Sequence, residues 1–106
     1  MAIGGNQPVA KDFQSFAERG RAGIDLSNCQ SWGLSVWPDL EAVAHGRDAI
    51  PHFRTKKVIR FSVTPDDGTL RYTPSKQQPD HHTFWKAAGC SLLNACEIVL
   101  EPEAVA

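Results

Sequence analysis

With 106 residues, 42% of them apolar and 22% charged, the chain has the length for one hydrophobic core but not two, and too ordinary a balance for wholesale disorder. A formal net charge of −1 argues against a protein whose main task is coating nucleic acid or an anionic membrane. The widely spaced Cys29, Cys90 and Cys96 depart from the dense, even cysteine framework of small secreted scaffolds.

In chain order, residues 1–9, with Gly4-Gly5-Asn6 and Pro8, have no periodicity and read as a flexible N-terminus ahead of a single α+β domain over 10–106. Phe13, Phe16 and Ala17 recur at helical spacing, and Gly20 marks a helix stop. Residues 21–30 read as a connection. Ser31 to Trp37 alternates, which predicts a strand with Trp32, Leu34 and Val36 in the core. Pro38, Asp39 and Glu41 suit the start of a helix. Leu40, Val43 and Ala44 form its buried stripe, with Gly46 as its end.

Lys56 to Thr64 predicts a second strand, with Ile59, Phe61 and Val63 inward. Pro65-Asp66-Asp67-Gly68 is turn chemistry, returning Thr69 to Thr73 as the hairpin partner of that strand. His81 to Trp85 and Ala95 to Glu101 supply the last strands, with Cys96, Ile98 and Leu100 inward in the latter. The expected architecture is α+β: a mainly antiparallel sheet of about four or five strands with two helices packed on it. No charged-then-apolar leader opens the chain and no apolar run reaches membrane-spanning length. The cytoplasm is therefore the expected compartment, with no membrane association.

The densest chemistry lies between Thr73 and Trp85, where Pro74, Ser75, Lys76, Pro79, Asp80, His81, His82, Phe84 and Trp85 crowd together. Adjacent residues on a strand point to opposite faces, so His81 and His82 do not serve one ligand together. Each is either a satisfied structural histidine or, beside Ser75 and Lys76, a general acid or base or an anion-binding group, because an imidazole titrates near neutrality. Trp37 and Trp85 either pack in the core or at its rim, line a pocket or contact a partner. Lys56 and Lys57, within the basic run Arg54 to Arg60, read as a solvated strand edge or as a grip on an anion. Cys90 and Cys96 lack the paired spacing of a structural zinc site, so neither a metal nor another cofactor is expected. Nucleic acid is not expected as a partner either, for want of a base-stacking aromatic motif.

Two segments carry resemblances. Ser31-Trp-Gly-Leu-Ser-Val-Trp37 and the block from Thr73-Pro-Ser to His-His-Thr-Phe-Trp85 resemble motifs of small uncharacterised bacterial proteins, over roughly residues 29 to 100. A fainter similarity is to ADP-ribosyltransferase-like domains. Phe16, Arg19 and Gly20 would stand for their aromatic-Arg-Gly start, Ser31 and Ser35 for their serine-bearing strand, and Glu97 or Glu101 for their late glutamate. Here the aromatic is not adjacent to Arg19.

Two functional expectations follow. The first is a binding or interaction module whose contact surface comprises residues 73–85 and Trp37, with Lys56, Lys57 and Lys76 recognising an acidic protein or a small anionic ligand. The second is an enzyme acting on a nucleotide-like or phosphate-bearing substrate. In it His81 or His82 would move protons, Arg19 or Lys76 would hold the anion, and Glu97 would supply a carboxylate.

Overall fold

The computed structural model describes residues 1–103, so the last three residues of the expected domain lie outside it. Its strands are β1 (Ala2–Ile3), β2 (Leu34–Val36), β3 (Lys57–Phe61), β4 (Gly68–Tyr72), β5 (His82–Lys86) and β6 (Cys96–Leu100), and its α-helix is α1 (Leu40–Ala49). The fold is α+β, but the strands divide into two antiparallel sheets, ordered β1-β3-β6 and β2-β5-β4, instead of forming one.

Why there are two sheets is written in β3. Val58 and Ile59 are consecutive yet both buried, at 2% and 1% exposure, so this strand is covered on both faces. Ile59 packs with Ile3, Phe13, Leu34, Phe84 and Leu92, whereas Val58 packs with Val43 and Phe53. The neighbouring strands split in the same way. Ile3 and Ile98 join the first cluster, and Ala2 and Val99 the second, as the alternation of side chains along strands requires. The first sheet therefore lies between the second sheet on one side and α1 on the other. An irregularity between Val58 and Ile59 in the pairing with β6 accommodates the doublet.

The expected β3–β4 hairpin does not form. Pro65–Asp67 is a 3-10 turn that carries the chain from one sheet to the other, and β4 pairs with β5 while β3 pairs with β1 and β6. The opening residues are also engaged: Ala2 and Ile3 pair with β3, and the Met1 amine donates to the Ile59 carbonyl at 3.0 Å.

Only one of the two expected helices is present among the described residues. The first is replaced by a 3-10 turn over Ala10–Phe13 followed by further turns. Its physical cause is a reciprocal cap: Ser15 Oγ accepts from the Glu18 amide at 3.1 Å and Glu18 Oε1 accepts from the Ser15 amide at 2.9 Å. This closes a fresh turn where a helix would continue. Phe13 and Ala17 are buried as expected, but Phe16 stays 46% exposed beneath Arg21, whose guanidinium lies 4.5 Å from the ring centroid.

Helix α1 starts where expected, with Asp39 accepting from the Ala42 amide at 2.8 Å. It runs past Gly46 to Ala49 and buries Ala42, Val43, Gly46 and Arg47, leaving Leu40 and Ala44, both expected in the stripe, exposed. Arg47 anchors this face. Its Nη2 donates to the carbonyls of Lys56 and Glu101, at 2.8 and 2.9 Å, joining the helix to the chain flanking β3 and β6. Trp32, expected in the core, is 46% exposed, because Cys29–Trp32 forms a 3-10 turn before β2 begins.

Candidate functional site

The crowded segment is the β4–β5 connection, residues 73–81, followed by β5 itself. A hairpin of this kind closes with two to five residues, so the surplus chain needs a structural reason. Gln78 supplies it. This residue is 6% exposed; its Oε1 accepts from Trp37 Nε1 at 2.9 Å and its Nε2 donates to the Gly46 carbonyl at 3.4 Å. A polar side chain in this position satisfies both partners and fastens the loop to α1 and to the residue that follows β2 at once.

Around the anchor the loop is tightly closed. The amides of Ser75 and Gln78 each donate to the other's carbonyl, at 3.0 and 3.2 Å, and Ser75 Oγ also accepts from the Gln78 amide. Ser75, Lys76, Gln77 and Pro79 are left exposed on the outer side. Gly46 makes the approach of loop to helix feasible, since a Cβ there would lie 2.8 Å from Gln78 Oε1 and 2.9 Å from Phe53. Reading Gly46 as a helix stop hides this contact, whose trace in the sequence is a glycine within a helical pattern.

The two histidines part as strand geometry requires. His81 meets the Trp37 ring edge-on, with centroids 5.6 Å apart, while Trp37 stacks on Phe53 at 4.8 Å. His81 Nδ1 lies 3.1 Å from the Thr73 carbonyl and 2.9 Å from Thr73 Oγ1, which in turn bonds Thr83 Oγ1 at 2.7 Å. Burial, the largest influence, pushes the His81 pKa down from its ordinary value; the Thr73 carbonyl opposes this and the charge of His82 adds to it. The neutral imidazole with its proton on Nδ1 fits these acceptors. His82 instead bonds the Asp80 carbonyl through Nδ1 at 2.8 Å and packs beside Tyr72, whose hydroxyl donates to the Pro79 carbonyl at 2.6 Å. The Asp80 carboxylate lies 4.0 Å from His45 on α1.

Comparison with family models, with curated proteins and with solved structures finds no match to this chain.

The other candidate residues are dispersed. Trp85 Nε1 donates to the Cys29 carbonyl at 2.9 Å. Arg19 Nε donates to the Gln14 carbonyl, and Lys57 Nζ donates to the Asn6 carbonyl while lying 3.4 Å from Glu101. Lys56 borders Gly4. Glu97 is paired with Arg60 across β3 and β6. Two clefts accompany them, neither lined by His81 or His82. One, of about 250 Å³, is mostly apolar and lies among Val36, Leu40, Val58, Phe61, Leu70 and Phe84. The other, of about 190 Å³, includes Asp12, Gln14, Arg19 and Gln30.

Among the described residues no group of three His, Cys, Asp or Glu could hold a metal ion, and no helix is long and apolar enough to cross a membrane. All three cysteines are free thiols. Partial burial, followed by Asp67 at 3.7 Å, holds Cys90 above its ordinary pKa, which is the opposite of what activates a nucleophilic thiol.

A pH effect follows from His81. Its folded pKa lies below the ordinary 6.5, so as the pH falls past that value the unfolded chain takes up a proton before the folded one. The His81 contribution is thus complete above about pH 6.5 and declines as the pH drops toward the folded pKa. Chemical denaturation of the wild-type chain and His81→Gln across this range checks it. The wild type should lose more stability on acidification than the variant, and parallel curves would show that His81 titrates alike in both states.

Proposed function

We propose that the protein is a binding module that contacts a protein partner through the outer side of the 73–81 loop together with Tyr72 and His82. The supporting observation is the buried Gln78 anchor. It holds a loop longer than its hairpin needs in one conformation, with Ser75, Lys76 and Gln77 outward. A loop ordered before it meets its partner loses less conformational entropy on binding. Lys76 at the turn supplies a cation for an acidic group of that partner, while Asp80, half-exposed in the same loop, lies 4.0 Å from His45.

Catalysis on a phosphate-bearing substrate has less support. The Nδ1 atoms of both histidines are engaged with neighbouring backbone or hydroxyl groups, Glu97 is paired with Arg60, and a proton-transfer site needs an imidazole, a second polar group and a cleft to converge.

Lys76→Glu is the direct probe, because Lys76 is exposed and its replacement leaves the Gln78 anchor intact. A partner captured by the wild-type chain should bind this variant about tenfold or more weakly, at unchanged Tm. Equal capture by both would move the contact away from the loop. Trp85→Ala would be a poorer probe, since it releases the Cys29 carbonyl and perturbs the fold.

A further inference from the structure

In the order β2-β5-β4, β5 is central and β4 is an edge. Which β4 backbone groups face outward follows from its two ends. The Thr73 amide bonds the His81 carbonyl at 3.0 Å, and the Ala87 amide bonds the Asp67 carbonyl at 2.8 Å. Positions 67, 69, 71 and 73 therefore direct their backbone groups toward β5. By the alternation of an antiparallel ladder, the amides and carbonyls of Gly68, Leu70 and Tyr72 project from the edge of the sheet.

Soluble proteins blunt such edges with charged side chains, lysine above all, with proline or with a bulge, and here the one such device is Arg71. β4 carries no lysine or proline, and its register with β5 runs without a shift from Gly68↔Lys86 to Tyr72↔His82. Its exposed side chains include the apolar Leu70, 52% exposed, and the aromatic Tyr72, 61% exposed, beside the single charge of Arg71.

From this we infer that the edge of β4 pairs with β4 of a second copy of this chain, antiparallel and centred on Leu70, so that two β2-β5-β4 sheets become one continuous sheet. The strand is self-complementary in that register. Its edge-facing residues are disposed symmetrically about Leu70, so that Leu70 meets the second copy's Leu70 and Gly68 meets the second copy's Tyr72. Each of these pairs can exchange both its backbone hydrogen bonds.

The side chains agree. Arg71 is the strand's only charge, and in this register it stands opposite the second copy's Thr69, so no like charges face each other directly. Tyr72 stands opposite a glycine, which leaves room for the ring. Leu70 shares a face with its β5 partner Phe84, so the two leucines cover each other on the core side of the joined sheet. The symmetry is that of an isologous two-fold dimer. One short strand pair buries less than the roughly 1,000 Å² that stable complexes exceed, so the association is weak and concentration-dependent.

The test combines sedimentation equilibrium with amide hydrogen exchange on the full chain and two exposed-site variants. The wild type is expected to shift reversibly from monomer to dimer as its concentration rises, with the Leu70 and Tyr72 amides gaining protection. The Thr69 and Arg71 amides, already bonded to β5, should change little. Thr69→Glu places a carboxylate opposite the second copy's Arg71 at both symmetric positions and should tighten the dimer about three- to tenfold. Thr69→Arg opposes like charges there and should weaken it by a similar factor, with unchanged monomer Tm. A monomer persisting to about 1 mM, where even weak complexes populate, overturns the inference. So does a dimer whose Leu70 and Tyr72 amides exchange as in the monomer, or protection of those amides only by an added extended peptide.

Discussion

Gly68→Ala is expected to lower stability by about 3 kcal/mol or more, a large share of the ~5–15 kcal/mol typical of a domain. Gly68 opens β4 at φ +154°, where an added Cβ would overlap the Trp85 carbonyl oxygen and lie 2.9 Å from the Phe84 ring. Neither neighbour can yield cheaply. The Trp85 carbonyl belongs to the backbone of β5, and Phe84 is 1% exposed and packed near Phe61 at 6.3 Å. Relief requires β4 to part from β5 or Phe84 to leave its well, so the cost combines overpacking with backbone strain. Urea denaturation should show a lower midpoint with little change in slope. Thr69→Ala, on the same strand but exposed, should stay within about 0.5 kcal/mol of the wild type. Near-wild-type stability for Gly68→Ala would mean that β4 and β5 do not approach this closely.

Gly68 also shows how an element can be legible while its partner is not. Pro65-Asp66-Asp67-Gly68 marks a turn, and a turn does occur there, but nothing in four residues says whether the chain returns to the strand it left. What redirects β4 is that both edges of β3 are taken, by β1 and β6, in a strand that is also buried on both faces. The sequence trace of that burial is the doublet Val58-Ile59, which a period of two assigns to opposite sides and so reads as one inward and one outward residue. A strand covered on both faces carries apolar residues without alternation, and a doublet is too short to announce it. The start of α1 was readable because Asp39 acts through its own backbone neighbours. The missing first helix was not, because the Ser15–Glu18 cap competes locally with the apolar stripe of Phe13, Phe16 and Ala17.

The candidate site divides along the same line. Period-two geometry separates His81 from His82, and the structure places them against Trp37 and Tyr72 respectively. What sequence could not supply is the reason for the loop's length, since that lies in Gln78 reaching Gly46 across 32 positions of chain. Long-range contacts through an uncharged amide leave no pattern in charge or hydropathy. The exposed residues of the loop are legible as chemistry, but their fixed presentation is a property of the anchor.

That anchor makes Gly46→Ala a substitution whose sign is opposite to its helix propensity. In an exposed helix interior the change stabilises by roughly 0.5–1 kcal/mol. Here the new methyl would lie 2.8 Å from Gln78 Oε1 and 2.9 Å from Phe53, and overpacking of this kind costs about 1–3 kcal/mol, so the net effect is destabilising. Gln78→Ala alone should cost about 2 kcal/mol, chiefly because Trp37 Nε1 is left half-buried without its acceptor. The Gly46 carbonyl keeps its helical bond from the Ile50 amide and adds little to that loss. Removing Gln78 clears the space the alanine methyl needs on that side, so the two changes should not add. The double variant is expected to be about 1 kcal/mol or more stabler than the sum of the singles predicts. Additive losses would mean that Phe53, rather than the loop, limits the approach to α1. A coupling of the expected sign, with faster proteolysis between residues 73 and 81 in each single variant, would place the ordering of the loop in this one contact.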